Sequence, residues 1–428
     1  MLSAAAWLAP ATGLRGQDQV PGPAPAALFE LAGALGAAEQ WAEAAGVYAQ
    51  ILELAPNSQR AMVMLGACWV LDGQASQAVP LLEQGIAMNP YAYWAEVGLY
   101  YSALGHHQLG DDEAASAVIE LLQQQVPESQ SAARAQIIAA QIAGADVETA
   151  EADYELEVVA ATQLQSALAA VAAADVAPAI ELLDAVIESY PGSGAALRAR
   201  ESKGTLLIYD HQLSEGMAEF LLILEQIGRT HPAARIVANS KLQLAAGYFE
   251  TLMLPPEELA MIEPAESEQA RSLCQQVLEL EQASPLQVAR AELMIIETYH
   301  WQKCWPDTVE AAQAYIAGYD PVQFRREVAT AHMLAGESLH MMGQPGPAMP
   351  HFQWIISEYS LDEEIWPRLH NLARTYYWVF DILYQAQAPL DQVLEAGYAV
   401  LENFPGTRGA QLVENALAFI EEHGWPNP

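Results

Sequence analysis

The sequence predicts an all-α chain, an α-α superhelix assembled from helical hairpins. Three observations carry that expectation. Apolar residues recur at helical spacing through most of the chain, no segment alternates with strand period, and helix-length runs end at regularly placed prolines. Pro56 closes WAEAAGVYAQILELAPNS and Pro90 closes ASQAVPLLEQGIAMNPYA, 34 residues further on. At 52% hydrophobic and 8% aromatic, the 428-residue chain has the composition of a globular protein, not of a disordered one.

Residues 1–26 read as either a disordered lead-in or a signal segment. Leu2 to Leu8 is apolar and Ala9-Pro10-Ala11 offers a cleavage site, but no basic residue precedes the run. Residues 27–128 form an N-terminal repeat block. Leu31 and Leu35 share one helix, and Trp41, Ala44 and Tyr48 lie on the next, which Pro56 ends. The set returns as Leu65, Gly66, Trp69, Gly73, Ala78 and Leu82 before Pro90, then as Trp94, Val97, Gly98, Tyr101, Ala115 and Ile119 before Pro127. Small residues at 44, 66 and 78 let two helices approach closely, and Tyr48, Trp69 and Tyr101 fill the space between hairpins.

A 34-residue period with these residues resembles the tetratricopeptide repeat family. The resemblance implies a solenoid in which each hairpin buries its apolar face against its neighbours, with a groove lined by the first helix of each hairpin. Residues 129–158 lose the period and read as an irregular acidic connection, with a distorted helix as the alternative for ADVETAEADYELE. A second block spans 159–423. Its clearest copy carries Ala335, Gly336, Leu339, Gly343, Ala348, Phe352 and Ile355, and the amphipathic helix 408–423 reads as a terminal cap.

Two joints of this block are alike, ESYPGS at 188–193 and ENFPGT at 402–407. In each, proline stops a helix, glycine makes the turn and a hydroxyl residue is placed to cap the next helix. These joints are similar to those of bacterial cell-envelope repeat proteins, the outer-membrane assembly lipoproteins and Tol-associated proteins. That likeness implies a periplasmic or envelope location, with the cytoplasm as the alternative.

Charge narrows the function. With 54 acidic against 17 basic residues the formal net charge is −37, which repels nucleic acid and anionic membranes. Only Lys203, Lys241 and Lys303 are lysines, so the acidity fits a saline habitat, a GC-rich genome or a cationic partner. Cys68, Cys274 and Cys304 are too far apart for a zinc site or a disulfide framework. No run is apolar and long enough to span a bilayer.

The residues that could carry chemistry read as structural. His332 and His340, with Met333, Met341 and Met342, suggest a soft metal site, but eight residues separate the imidazoles and nothing completes the set. His300 and Cys304 at i, i+4 could form a nucleophilic pair, yet no orienting group is evident. Phosphate loops and nucleophile elbows are missing. The expectation is a non-catalytic scaffold without cofactor or metal that binds a protein or peptide, cationic on one reading. The rivals are a receptor for a small apolar ligand and an enzyme whose site is assembled across repeats. By register, the N-terminal groove shows Arg60, Val63, Ala67, Val70 and Leu71. The lysine and asparagine that clamp a peptide carboxylate in the family's chaperone adaptors are not there. The C-terminal groove offers Met294, Thr298 and Trp301, then Met333, Glu337 and His340, then His370, Arg374, Tyr377 and Trp378, and its aromatic, methionine and arginine side chains are of the kind that binding hot spots use.

Overall fold

The computed structural model describes residues 23–172, 176–210, 212–250, 264–281, 283–359 and 369–425. These contain twenty α-helices and no strand. Most of the lead-in lies outside the described residues.

The chain divides into two compact units, 1–240 and 241–428. The first holds α1 (Pro23–Ala37), α2 (Trp41–Leu54), α3 (Gln59–Leu71), α4 (Ala75–Met88), α5 (Tyr93–Gln108), α6 (Asp112–Gln125), α7 (Gln130–Ala143), α8 (Val147–Ala172), α9 (Val176–Ser189), α10 (Gly194–Tyr209) and α11 (Leu213–Gln226). Helix α12 (Arg235–Glu250) contains the boundary. The second unit continues with α13 (Pro264–Leu278), α14 (Pro285–Trp301), α15 (Trp305–Gly318), α16 (Arg325–Met341), α17 (Pro345–Glu358), α18 (Leu369–Gln385), α19 (Leu390–Asn403) and α20 (Arg408–His423).

Six of the hairpins are held by the same device. Ala44, Ala78, Ala115, Ala179, Ala312 and Ala348, one on each of α2, α4, α6, α9, α15 and α17, are fully buried. Where the partner helix also carries glycine the approach is closer still: a Cβ on Gly66 would lie 2.6 Å from Leu82 Cγ, and one on Gly336 would lie 2.8 Å from Phe352 Cζ. Neither side chain has room to yield in a close-packed interior. Leu82 and Phe352 are themselves fully buried, worth about 1.5–3 kcal/mol each in transfer free energy.

First helices also pack on first helices, α3 on α5, α5 on α7, α14 on α16 and α16 on α18. The core is accordingly a series of local clusters, such as the one joining Val63, Leu82, Tyr101 and Ile119, in place of one central core. Hydroxyl caps start several first helices: Ser58, Ser129, Ser193 and Thr407 accept from Ala61, Ala132, Ala196 and Ala410 N–H at 3.0–3.3 Å. The two Pro-Gly joints share their hydroxyl contacts, although Gly406 takes φ +79° and Gly192 has no positive φ. Ser193 Oγ donates to Tyr190 O and Thr407 Oγ1 to Phe404 O, both at 2.9 Å.

Two expectations need correction. Residues 129–158 are not an irregular connection; they form α7 and the first half of α8. Helix α8 runs 26 residues and packs on α7, α9 and α10, so one unbroken helix closes one hairpin and opens the next. The period fails there because the intervening turn is absent, and the acids at 148, 151, 153 and 155 stay on its exposed face. Val63, Ala67 and Val70 do not line a groove. They are at most 2% exposed, inside the contact between α3 and its neighbours.

Candidate functional site

The inner helices of the second unit carry matching stripes. Met294, Thr298 and Trp301 on α14, Met333, Glu337 and His340 on α16, and Arg374, Trp378 and Asp381 on α18 each follow i, i+4, i+7 spacing. That spacing lays three side chains along one helix face, and successive stripes face each other across the packed helices.

At the centre is Glu337, only 2% exposed. Arg374 Nη2 donates to Glu337 Oε2 at 2.7 Å and Arg374 Nε lies 2.5 Å from Oε1. Trp378 Nε1 donates to Oε1 at 2.7 Å, and His300 Nε2 lies 3.2 Å from Oε2. His300 Nδ1 sits 3.1 Å from Ser338 Oγ. His300, Glu337 and Arg374 come from three consecutive first helices at intervals of 37 residues. A buried carboxylate that accepts from three donors is a strong, geometrically fixed anchor.

A second histidine–carboxylate contact extends the ladder. His340 Nε2 lies 3.0 Å from Asp381 Oδ2, and the His340 ring packs against Trp378 with centroids 4.9 Å apart. Tyr377 tilts against Trp378 on one side and meets α20 at Gly409 on the other. Burial, reinforced by the Asp381 charge, holds the Tyr377 hydroxyl above its ordinary pKa, so it remains a neutral donor.

The structure thus brings together His340, Arg374, Tyr377 and Trp378 of the expected set. Trp301 is half-buried at the end of α14, edge-on to the His300 ring at 5.5 Å, and Met294 is half-buried seven residues earlier. Met333 is a correction: at 4% exposure it belongs to the core with Ile355 and Leu372, and the Thr375 hydroxyl rests on its sulfur. The backbone of His370 is in α18, and its side chain is outside the described residues. His300 and Asp381 are the members that the expected groove lacked, whereas Glu337 was already in it by register. Asp381 was legible as the i+7 partner of Arg374.

The suggested chemical pairs separate. Cys304 Sγ contacts only its own turn at Gln302 O, while His300 points to Glu337 and Ser338. His332 does not meet His340; its Nδ1 lies 3.0 Å from His351 Nδ1 and its ring stacks on Trp354 at 4.1 Å. Burial and the facing His351 push His332 down to about 4, and burial also lowers His351. Among the described residues no three His, Cys, Asp or Glu are placed to hold a metal ion. No helix among them is long and apolar enough to cross a membrane.

This is the architecture of an α-helical repeat scaffold. The chain carries tetratricopeptide repeats: models of that repeat match residues 35–97 and 161–193. No curated protein matches the chain by sequence. Similar solved structures include Pseudomonas aeruginosa PilF, 11% identical over 61% of this chain and 99% of that one, with a TM-score of 0.43. The human IFIT1 dimer with PPP-AAAA is 14% identical over 94% of this chain and 92% of that one, with a TM-score of 0.44. The P58(IPK) TPR domain is 15% identical over 86% and 100%, with a TM-score of 0.22.

Proposed function

We propose that the protein is a non-catalytic interaction scaffold that holds a partner segment against α14, α16 and α18, in a bacterial cell envelope. One observation carries the first part. The buried Glu337 fixes Arg374 and Trp378 in place, and Arg374 keeps 40% of its side chain exposed. Tryptophan and arginine held rigid before binding are the residues from which hot spots are made, because little rotamer entropy is left to lose on association. The envelope location is supported by the Tyr-Pro-Gly-Ser and Phe-Pro-Gly-Thr joints.

The test is affinity purification from the host with wild type, Trp301→Ala and Trp378→Ala as baits, each shown to fold by circular dichroism. Proteins recovered with wild type should be lost from both variants. Recovery of the same set by all three would overturn the groove assignment. Fractionation of the host tests the location separately, and a signal confined to the cytosol would remove the envelope from the proposal.

A further inference from the structure

The inner helices of the first unit converge on a different cluster, independent of the groove in the second. Glu96 stands in the first turn of α5, Glu128 just before α7 and Glu157 on α8. Arg198 and Glu201 lie on α10, and Arg235 begins α12. Four carboxylates therefore share two guanidinium groups. Glu96, Glu128 and Glu157 are 7%, 3% and 4% exposed.

Two of the four acids are well satisfied. Glu157 accepts from the Gly194 and Ala195 N–H groups at 2.9 and 2.8 Å, and Glu201 accepts from Asn239 Nδ2 at 3.0 Å. The arginine–carboxylate distances among these groups are longer. Arg235 Nη2 stays 3.7 Å from Glu96 Oε2 and 3.6 Å from Glu128 Oε1, and Arg198 Nη2 stays 3.8 Å from Glu157 Oε1. On the same helix α10, Arg200 and Lys203 grip Glu219 and Asp184 at 2.6–2.9 Å, so contact distance is attainable in this fold. Glu128 Oε2 is buried with no donor at all. An orphaned oxygen on a carboxylate this deep is costly, which marks it as waiting for a partner.

The chemistry of that partner follows from charge and size. The cluster carries two more acids than bases, so it calls for a cation. No three of its acids are set to close on a metal ion. A larger cation whose N–H donors point in different directions suits oxygens that are spread apart. On the arginine side Arg198 and Arg235 have about a third of their side chains exposed, at 32% and 34%, and Glu201 is partly exposed, while Arg198 Nε and Nη2 are buried without an acceptor.

We propose that this cluster binds an organic cation, a primary ammonium or guanidinium group that enters between Glu96, Glu128 and Glu201 and donates to the unpaired oxygen of Glu128. Burial raises Glu128 to about 7 and lifts Glu96 and Glu201 as well, opposed by Arg235. The cation could be a lysine or arginine side chain of a partner protein or a free polyamine, since the recognising chemistry is the same.

Calorimetric titration of the intact protein in physiological salt separates these sources, with acetylated tetralysine amide and spermidine as probes. Saturable binding of the peptide alone identifies a protein side chain, and of spermidine alone a free amine. Glu128→Gln should weaken binding about tenfold or more, as loss of a hydrogen bond to a charged group does. Glu120→Gln, on the exposed face of α6, removes the same charge and should change binding by less than about twofold, as charges spread over a surface do. Equal weakening by both variants would show diffuse attraction to an acidic surface and overturn the site, as would failure of both probes to saturate. If Glu128→Gln does not fold, the partly exposed Glu201→Gln replaces it with the same expectation.

Discussion

Arg374 of α18 closes on Glu337 of α16 through two parallel contacts, while Trp378 and His300 occupy the rest of the carboxylate. The pair joins consecutive hairpins at a point where Glu337 has almost no access to water. Breaking such a pair from one side is worse than never having it, because the remaining charge is stranded.

Arg374→Ala should therefore destabilise the second unit by about 2–3 kcal/mol, a value reduced from the fully buried case because the arginine is partly exposed. Replacing Glu337 and Arg374 together, by Gln and Met, should cost less than Arg374→Ala alone. Urea denaturation of the three variants provides the comparison. Strictly additive losses would mean that the two side chains do not depend on each other.

Much of the fold was legible. Proline punctuation and the buried alanines placed most hairpins, because both act through neighbours close in sequence. The fused helix α8 was not, since its acids decorate an exposed face and hid a continuous apolar stripe formed by Tyr154, Ala161 and Leu164. In the site, Arg374, Trp378 and His340 stood out by residue type, whereas Glu337 gains its role from burial and from partners 37 residues away on either side. That interval is longer than 34 because α14, α16 and α18 each have 17 residues, against 13 in α3. Met333 misled for the converse reason, its stripe position being turned into the α16–α18 contact.

Neighbouring glycines at one joint should respond oppositely to substitution. A Cβ on Gly194 would lie 2.1 Å from the Glu128 carbonyl oxygen, a backbone atom that cannot step aside. Gly192 has open space around it and an ordinary φ. Gly194→Ala should cost about 3 kcal/mol or prevent folding of the first unit. Gly192→Ala should be neutral or stabilise by up to about 1 kcal/mol, through loss of unfolded-chain entropy. Thermal melts of the two variants decide this, and a similar change in both would show that the α7–α10 approach is looser than described.

Glu128 gives the first unit a pH dependence whose sign is unusual for a carboxylate. Its ordinary value is 4.5 and burial raises it to about 7, so between those limits the folded chain keeps a proton that the unfolded chain has lost. Its contribution to stability is thus best below the lower value and is lost as pH rises through the upper one, at up to about 1.4 kcal/mol per pH unit. His332, held down to about 4, works in the opposite sense in the second unit, which loses stability as pH falls below the ordinary imidazole range of 6.5. Comparison of wild type with Glu128→Gln isolates the first effect, because glutamine carries no titrating proton. The two should be equally stable near pH 5, and the variant should gain on wild type as pH rises to 8. A difference independent of pH would contradict the burial assigned to Glu128.

The acid excess acts over longer range. Of the basic residues, Arg60, Arg134, Arg198, Arg235, Arg290 and Arg374 lie on first helices, whereas the second helices α2, α4, α6, α9, α15, α17 and α19 carry acids and no Lys or Arg. Like charges are therefore aligned on successive second helices, each of which touches only its neighbours. Screening shortens the reach of their repulsion from about 10 Å at 0.1 M salt to about 3 Å at 1 M. The melting temperature should rise between low salt and molar NaCl, and by a similar amount in KCl. Sodium sulfate at matched ionic strength separates screening from salting-out: a rise governed by ionic strength alone is electrostatic, and one far larger in sulfate reflects apolar burial. Melting curves that stay flat in chloride would mean that the aligned acids are too well hydrated, or too far apart, for their repulsion to load the stack.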